Sequence, residues 1–309
     1  MTLTVIRPGI QATLQGAPRH GSRHLGVPAS GPADPLSMAL ANRLVGNPAD
    51  ACAIEFPLGL TEFRFDQEGA IAIAGAPARI GLNGTEVAMH RTIPVRAGDQ
   101  VSIGSPEAGA RLYLAAAGGF VADTFLESVS TCLPAGFGGY AGHPLRAGDS
   151  VGIVGSPTPP ASIETPSDMR QTFVHSYALR CVAGPDAAMI PGLSADQEFT
   201  ATRRADRMGI EVAGPWPEPG DAGLKPSAPV FPGAVQLTPS GNAFVLLPDS
   251  QTTGGYPHIL QVIQADRHLL GQIRPGDRLR FLKRTPDEAA EDLRRKTAWF
   301  RGWLPDFRF

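Results

Sequence analysis

The sequence predicts a mainly β fold built from related sheet or barrel units, on three observations. First, 36 glycines and 30 prolines in 309 residues are spread as punctuation between short apolar runs, the mark of many strands and turns. Second, VRAGDQVSIG (95–104), LRAGDSVGIV (145–154) and IRPGDRLRFL (273–282) repeat one pattern, a turn at Gly-Asp feeding an alternating strand. Asp99, Asp149 and Asp277 are placed to bond the backbone of their own turns, and the unequal spacing of the copies excludes a solenoid. Third, Asn83-Gly84 between apolar stretches is a hairpin turn signal.

Composition narrows the function. A net charge of −2 and a pI near 6.4 leave no electrostatic footprint for nucleic acid. Only Lys225, Lys283 and Lys296 are lysines, so few amines are available for a Schiff base or a phosphate clamp, and no Walker-type loop is present. Cys52, Cys132 and Cys181 are far apart and odd in number, which argues against a disulfide framework or a cysteine metal site and for a reducing cytoplasm. No apolar run of membrane-spanning length occurs, and the N-terminus lacks the pattern of a signal peptide. The expectation is a cytoplasmic protein with no metal site.

In chain order, residues 2–15 read as strand, turn at Pro8-Gly9, and strand. The loop at 16–35 is too rich in Gly and Pro for regular structure; Gly21 between His20 and His24 rules against a helical two-histidine metal face. Asp34-Pro35 then caps and opens a helix that Gly46-Asn47-Pro48 stops. Its N-terminal end faces Ser30 and Gly31, which makes an anion site there an alternative to an ordinary cap. Residues 51–65 resume strand character, and Glu55 inside that apolar run requires a partner or a function. The stretch 156–168, rich in Pro, Ser and Thr, is the best linker candidate. Thr285-Pro286-Asp287-Glu288 opens a final helix with a capping box. Its tail carries Trp299, Phe300, Trp303, Phe307 and Phe309, packed on the second domain or forming an assembly surface.

The stretch of greatest chemical interest is DSQTTGGYP (249–257), set between two apolar, strand-like segments. Thr252, Thr253, Gly254, Gly255 and Tyr256 either form the polar tip of a β-hairpin or, through successive N–H groups at the glycines, a nest for a carboxylate or phosphate. Local sequence leaves the two readings level.

Several motifs together resemble the family that holds the C-type component of 5-oxoprolinase and the second subunit of allophanate hydrolase, and that also includes an antagonist of a sporulation-kinase inhibitor. They are HLGVPASGPADP (24–35), ANRLVGNP (41–48), DRMGIEVAGP (206–215), PGAVQLTPSGN (232–242) and DSQTTGGYPHILQVI (249–263). The resemblance implies two tandem cyclophilin-like β-barrels, expected at 1–160 and 161–285 with the N-terminal segment shared, followed by a helix and aromatic tail at 286–309. It implies a hydrolase subunit acting with a homologous B-type partner and a third, ring-opening subunit, and using ATP with Mg to activate a small amide or lactam. Biotin is not expected on this chain, which has no biotinylation motif, and a homo-oligomer is left open. Asp249 and Glu55 are then the acid/base candidates; Arg207 and Gln236 would orient substrate, with Ser30, Gly31 and Asp34 aiding the 252–256 loop at an anion. Two alternatives stand beside this: a carboxyltransferase subunit served by carboxybiotin from another chain, and a non-enzymatic module that binds a homologous inhibitor. The sequence departs from the family pattern at Gly16, Val129, His143, Glu211 and Ala228, where charged residues are usual. These losses point to a different substrate, to structural roles for the missing arginines, or to weakened catalysis.

Overall fold

The computed structural model describes residues 2–155, 161–217 and 225–309. The chain is mainly β and divides into two compact units. The first comprises residues 1–19, 30–173 and 300–308; the second comprises 20–29, 174–299 and residue 309.

The first unit holds strands β1 (Thr2–Pro8), β2 (Thr13–Gln15), β3 (Ala53–Pro57), β4 (Thr61–Phe65), β5 (Gly69–Gly75), β6 (Ile80–Leu82), β7 (Thr85–Val87), β8 (Ile93–Val95), β9 (Gln100–Ile103), β10 (Arg111–Ala116) and β11 (Ser150–Gly152), with helix α1 (Pro35–Leu44). They form a six-stranded sheet, β11-β1-β4-β9-β6-β7, and a five-stranded sheet, β2-β3-β10-β5-β8. Alternate residues of both sheets, among them Leu3, Val5, Phe63 and Phe65 from one and Ile54, Phe56, Ile71 and Ile73 from the other, share one core. In β5 the sequence GAIAIAG is buried almost throughout, because its isoleucines enter that core while helix α1 packs on β5 and β10. Small alanines between the isoleucines leave room for the helix, so the strand reads as a continuous apolar run.

The second unit is a closed barrel in the order β12-β19-β16-β17-β14-β13-β20. Its strands are β12 (Ser176–Ala183), β13 (Phe199–Ala205), β14 (Gly209–Ala213), β16 (Ala234–Leu237), β17 (Ala243–Leu246), β19 (His258–Val262) and β20 (Arg278–Lys283); β15 (Ala228–Pro229) and β18 (Thr253–Gly254) pair separately. Parallel pairing of β12 with β20 closes the ring, and inward residues such as Leu179, Phe199, Val212, Val235, Val245 and Phe281 fill it. Helix α2 (Pro286–Arg301) follows, opened by the expected box in which Thr285 N donates to Glu288 Oε2 at 2.8 Å and Glu288 N to Thr285 Oγ1 at 3.2 Å.

The three Gly-Asp turns are one device used three times. The N–H groups of Arg96, Arg146 and Arg274 donate to Asp99, Asp149 and Asp277 at 2.7, 2.7 and 2.8 Å. Each preceding glycine, Gly98, Gly148 and Gly276, sits at φ near +90° (86, 91 and 92°), a conformation that favours glycine. Each turn then exchanges two backbone hydrogen bonds with a strand residue: Phe65, Val5 and Ala201 respectively. Asn83-Gly84 forms the expected two-residue turn between β6 and β7, with both residues left-handed at φ 52° and 80°.

Three expectations need correction. Of the linker at 156–168, residues 156–160 lie outside the described residues, while the rest runs against the first unit: Thr92 N donates to Ile163 O at 3.0 Å and Thr165 N to His90 O at 2.9 Å. The apolar, strand-like segment after the 249–257 loop is strand only over His258–Val262, and residues 264–272 form a 3-10 helix. The aromatic tail does not pack as a block on the second unit, since residues 300–308 group with the first, where Arg43 lies 5.3 Å from the centroid of the Trp303 ring.

Candidate functional site

In the first unit the sequence-predicted residues are brought together in a closed network. Asp34 caps α1, accepting from Ser37 N at 3.0 Å and from Ser37 Oγ at 2.5 Å. Gln171 Nε2 also reaches it, at 3.3 Å. Glu55, 2% exposed, accepts from Ala33 N at 2.8 Å and from Tyr113 Oη at 2.7 Å, with Arg111 Nε at 3.3 Å. Tyr113 Oη in turn accepts from Asp34 N at 2.8 Å, and burial, with the Glu55 and Asp34 carboxylates beside it, holds the phenol well above its ordinary pKa. The helix terminus is therefore filled by its own Asp34, fully buried, and is not open to an external anion. Glu55 meets the requirement for a partner and ties the 30–34 loop to the sheet. Ser30, at φ 54°, is buried with no partner for its hydroxyl among the described residues. Gly31, at φ 93°, lies where a Cβ would come 3.1 Å from Pro18 Cβ.

In the second unit the loop at 249–257 is neither of the two forms open to it. The strands that flank it, β17 and β19, do not pair with each other; each pairs with β16, so the chain crosses over β16 instead of turning back as a hairpin. Nor is there a nest: Gly254 and Gly255 are not among the left-handed residues, and Thr253–Gly254 is extended as β18 against β15. The glycines are needed for close approach. A Cβ on Gly254 would lie 2.7 Å from Gln236 Nε2, and one on Gly255 2.8 Å from Lys225 O.

What the loop covers is a polar row on the outer face of the barrel. Cross-strand register places Glu211 opposite Phe244, Phe244 opposite Gln236, and Gln236 opposite His258. Gln236 is 1% exposed; it donates to Tyr256 O and accepts from Gln251 Nε2, both at 3.2 Å. A cavity of about 460 Å³ opens here, lined by Gln236, Gln251, Phe244 and Tyr256 and by the exposed Arg203, Arg204 and Asp206. His258 ends the row with Nε2 buried and unbonded among the described residues, and burial lowers its pKa. From the segment 20–29, which belongs to this unit, Arg23 holds the carbonyls of Val230 and Gln251.

Arg207 and Asp249 support this site from behind. They form a bidentate pair, Nε to Oδ2 at 2.8 Å and Nη2 to Oδ1 at 3.2 Å, with side chains 4% and 0% exposed. Asp249 N also donates to Arg207 O at 3.0 Å. With both side chains buried in this pair, the pair fixes the start of the loop. Thr252 is largely buried and its carbonyl accepts from Val230 N at 3.0 Å, while Thr253 is exposed. The sequence reading missed Gln251, Phe244, Arg203 and Arg204 as cavity residues, and Glu211 as the ion-pair partner of Arg204. The alternation of GIEVA and NAFVL does mark Glu211 and Phe244 as facing away from the core, but only register shows that they share a row.

The model of the carboxyltransferase domain, subdomain A and B, matches residues 25–283. The chain belongs to this family. It is 32% identical to the C-type component of 5-oxoprolinase from Escherichia coli over 96% of each chain. Among solved structures it is similar to TTHA0988, at 34% identity and a TM-score of 0.83 over 91% of this chain and 55% of that one. It is also similar to the K. lactis urea amidolyase, at 26% identity and a TM-score of 0.86 over all of this chain and 20% of the other. The chain thus spans about half, and about a fifth, of those two longer proteins, and its carboxyltransferase-family relatives are named as enzymes or enzyme subunits. Among the described residues no helix is long and apolar enough to cross a membrane.

Two departures from the family pattern prove to be neighbours: a Cβ at Gly16 would lie 2.6 Å from Val129 Cγ2. Charged residues at these two positions would face each other, and replacing both members of such a pair leaves no orphaned charge. His143 is occupied locally, its Nδ1 2.9 Å from Pro144 O and its ring edge-on to Tyr140.

Proposed function

We propose that this chain is a subunit of a 5-oxoprolinase-type hydrolase, acting with a homologous partner and a third, ring-opening subunit, and that the cavity over Gln236 holds the small amide or lactam. The observation that supports this most is the end-to-end match to the C-type 5-oxoprolinase component, 96% of each chain, against the 20% of the urea amidolyase that the chain spans. In this reading the amide groups of Gln236 and Gln251 orient an N–C=O group, and Phe244 and Tyr256 cover its flat faces. Arg203 takes a carboxylate on the same molecule, and Gly254 lets the loop close on Gln236 and narrow the water-filled space around the amide.

When bound in the assembly, ATP supplies the activation of the amide. This chain's residues do not fit its triphosphate: Asp34 fills the α1 terminus, and the glycine loop makes no nest. We therefore assign the nucleotide and its Mg to the partner, in a cytoplasmic setting. Co-purification with a homologous partner, followed by ATP turnover with and without 5-oxoproline, tests the proposal. Turnover that 5-oxoproline stimulates over either chain alone is the expected result, and no stimulation refutes it. The urea amidolyase likeness supports a second reading, carboxyl transfer from biotin carried on another chain, with the glutamine amides facing a ureido ring. Urea-dependent turnover with a biotinylated domain, and none with 5-oxoproline, would favour it.

A further inference from the structure

Glu211 has no part in the barrel core, yet its carboxylate is almost fully enclosed, 5% exposed. Both of its partners come from β13: Thr202 Oγ1 donates at 2.7 Å and Arg204 Nη1 at 2.8 Å. Arg204 lies over Phe244, 5.2 Å from the ring centroid, and Phe244 is the cross-strand neighbour of Glu211. Enclosing a carboxylate is costly, and a pair whose arginine side chain is 71% exposed returns little of that cost. Stability alone gives no reason for an acid here; the field at the cavity does.

The charged groups lining the cavity are Arg203, Arg204 and Asp206. With Glu211 the described residues contribute two charges of each sign. Asp206 accepts from Met208 N at 2.7 Å and Gly209 N at 3.1 Å, which fixes it in its turn. Arg204 is taken by Glu211, and Arg203 has no ion-pair partner among the described residues. One guanidinium is left to meet a ligand, in a site with no net charge.

We propose that Glu211 is a specificity-determining residue: by cancelling Arg204 at the cavity mouth it restricts the site to a small amide carrying at most one negative charge, met by Arg203, and excludes polyanions such as nucleotide phosphates. This rests on the cavity being the ligand site and sharpens which ligand it takes.

The test is calorimetric titration of this chain with inorganic pyrophosphate at low salt. Glu211→Gln is expected to bind at least about tenfold more tightly than the wild type, the effect of one unit charge at neighbouring-side-chain range near a protein surface. Asp206→Asn keeps an acceptor for the turn amides and adds the same charge by an independent route, so it stands in if Glu211→Gln does not fold. Adding Arg203→Ala to either variant is expected to abolish the gain, and Glu211→Ala with Arg204→Ala, which leaves net charge unchanged, to bind no better than wild type. Tight pyrophosphate binding by the wild type overturns the proposal, as does no gain in either single variant, or a gain that survives loss of Arg203. Because the titration uses this chain alone and no turnover, its outcome is separate from that of the ATP-turnover test.

Discussion

The two units treat their buried polar groups in opposite ways. In the first, Asp34, Glu55, Tyr113 and Arg111 form a closed set in which each named carboxylate meets donors from its own unit. In the second, Gln236 is just as buried, but its neighbours Gln251 and Tyr256 line an open cavity. The lesson is that burial of a polar residue does not mark a site; what marks one is burial beside a space that a ligand can fill. A closed network holds a loop and a helix end in place, whereas an open one leaves hydrogen-bonding capacity for another molecule.

The contrast breaks most visibly in the first unit. Glu55→Ala is expected to destabilise the protein by about 3–5 kcal/mol, because it leaves the Tyr113 hydroxyl and the Ala33 N–H without their acceptor away from water; urea unfolding measures it. Arg207→Met is expected to cost a similar amount, about 3–5 kcal/mol, by orphaning Asp249, and the double change Arg207→Met with Asp249→Leu to recover much of it. A double-mutant cycle checks both.

Acid sharpens the same point. Burial first, then the nearby Arg170, depresses the His90 imidazole to about 4, and burial holds His268 well below its usual value. A histidine kept neutral in the fold adds stability that is complete above its unfolded pKa near 6.5. That stability is lost as pH falls toward the folded value. For His90 the loss between pH 6.5 and 4 is about 3 kcal/mol, and His90→Gln is expected to flatten that slope in urea midpoints measured across the window. Smaller still are the Gly-Asp turns. Asp149→Ala should cost about 1 kcal/mol, the worth of one side-chain turn bond, and Asp99→Ala somewhat more, because Asp99 also accepts from Asn83 Nδ2 at 2.7 Å. Asp277→Ala should cost more, because Asp277 also meets His175 Nδ1 at 2.8 Å.

Most of the fold was legible where the signal is local. The Gly-Asp turns, the Asn83-Gly84 hairpin and the Asp34-Pro35 cap each follow from a few consecutive residues, and each has the expected geometry. The site was legible only in part. Gln236 and Tyr256 stand out in the sequence, but the role of Gly254 turns on a residue eighteen positions away in the chain, Gln236, and no local pattern shows that contact. Glu211 reads in sequence as a lost arginine; only strand register shows it beside Phe244 and under Arg204. Asp249 and Glu55 drew attention as acids in apolar surroundings, and the arginines that pair with them lie 42 and 56 residues away in sequence.

The central claim is that the working site lies over Gln236 and not in the network around Glu55. Its most direct test is 5-oxoproline-stimulated ATP turnover by the reconstituted assembly, measured per folded molecule, with Gln236→Ala and Glu55→Gln side by side. Removal of a site's orienting group is expected to lower turnover by about a hundredfold or more in Gln236→Ala, while Glu55→Gln, though less stable, stays within about threefold of wild type. Turnover that survives Gln236→Ala and is lost in folded Glu55→Gln would contradict the account.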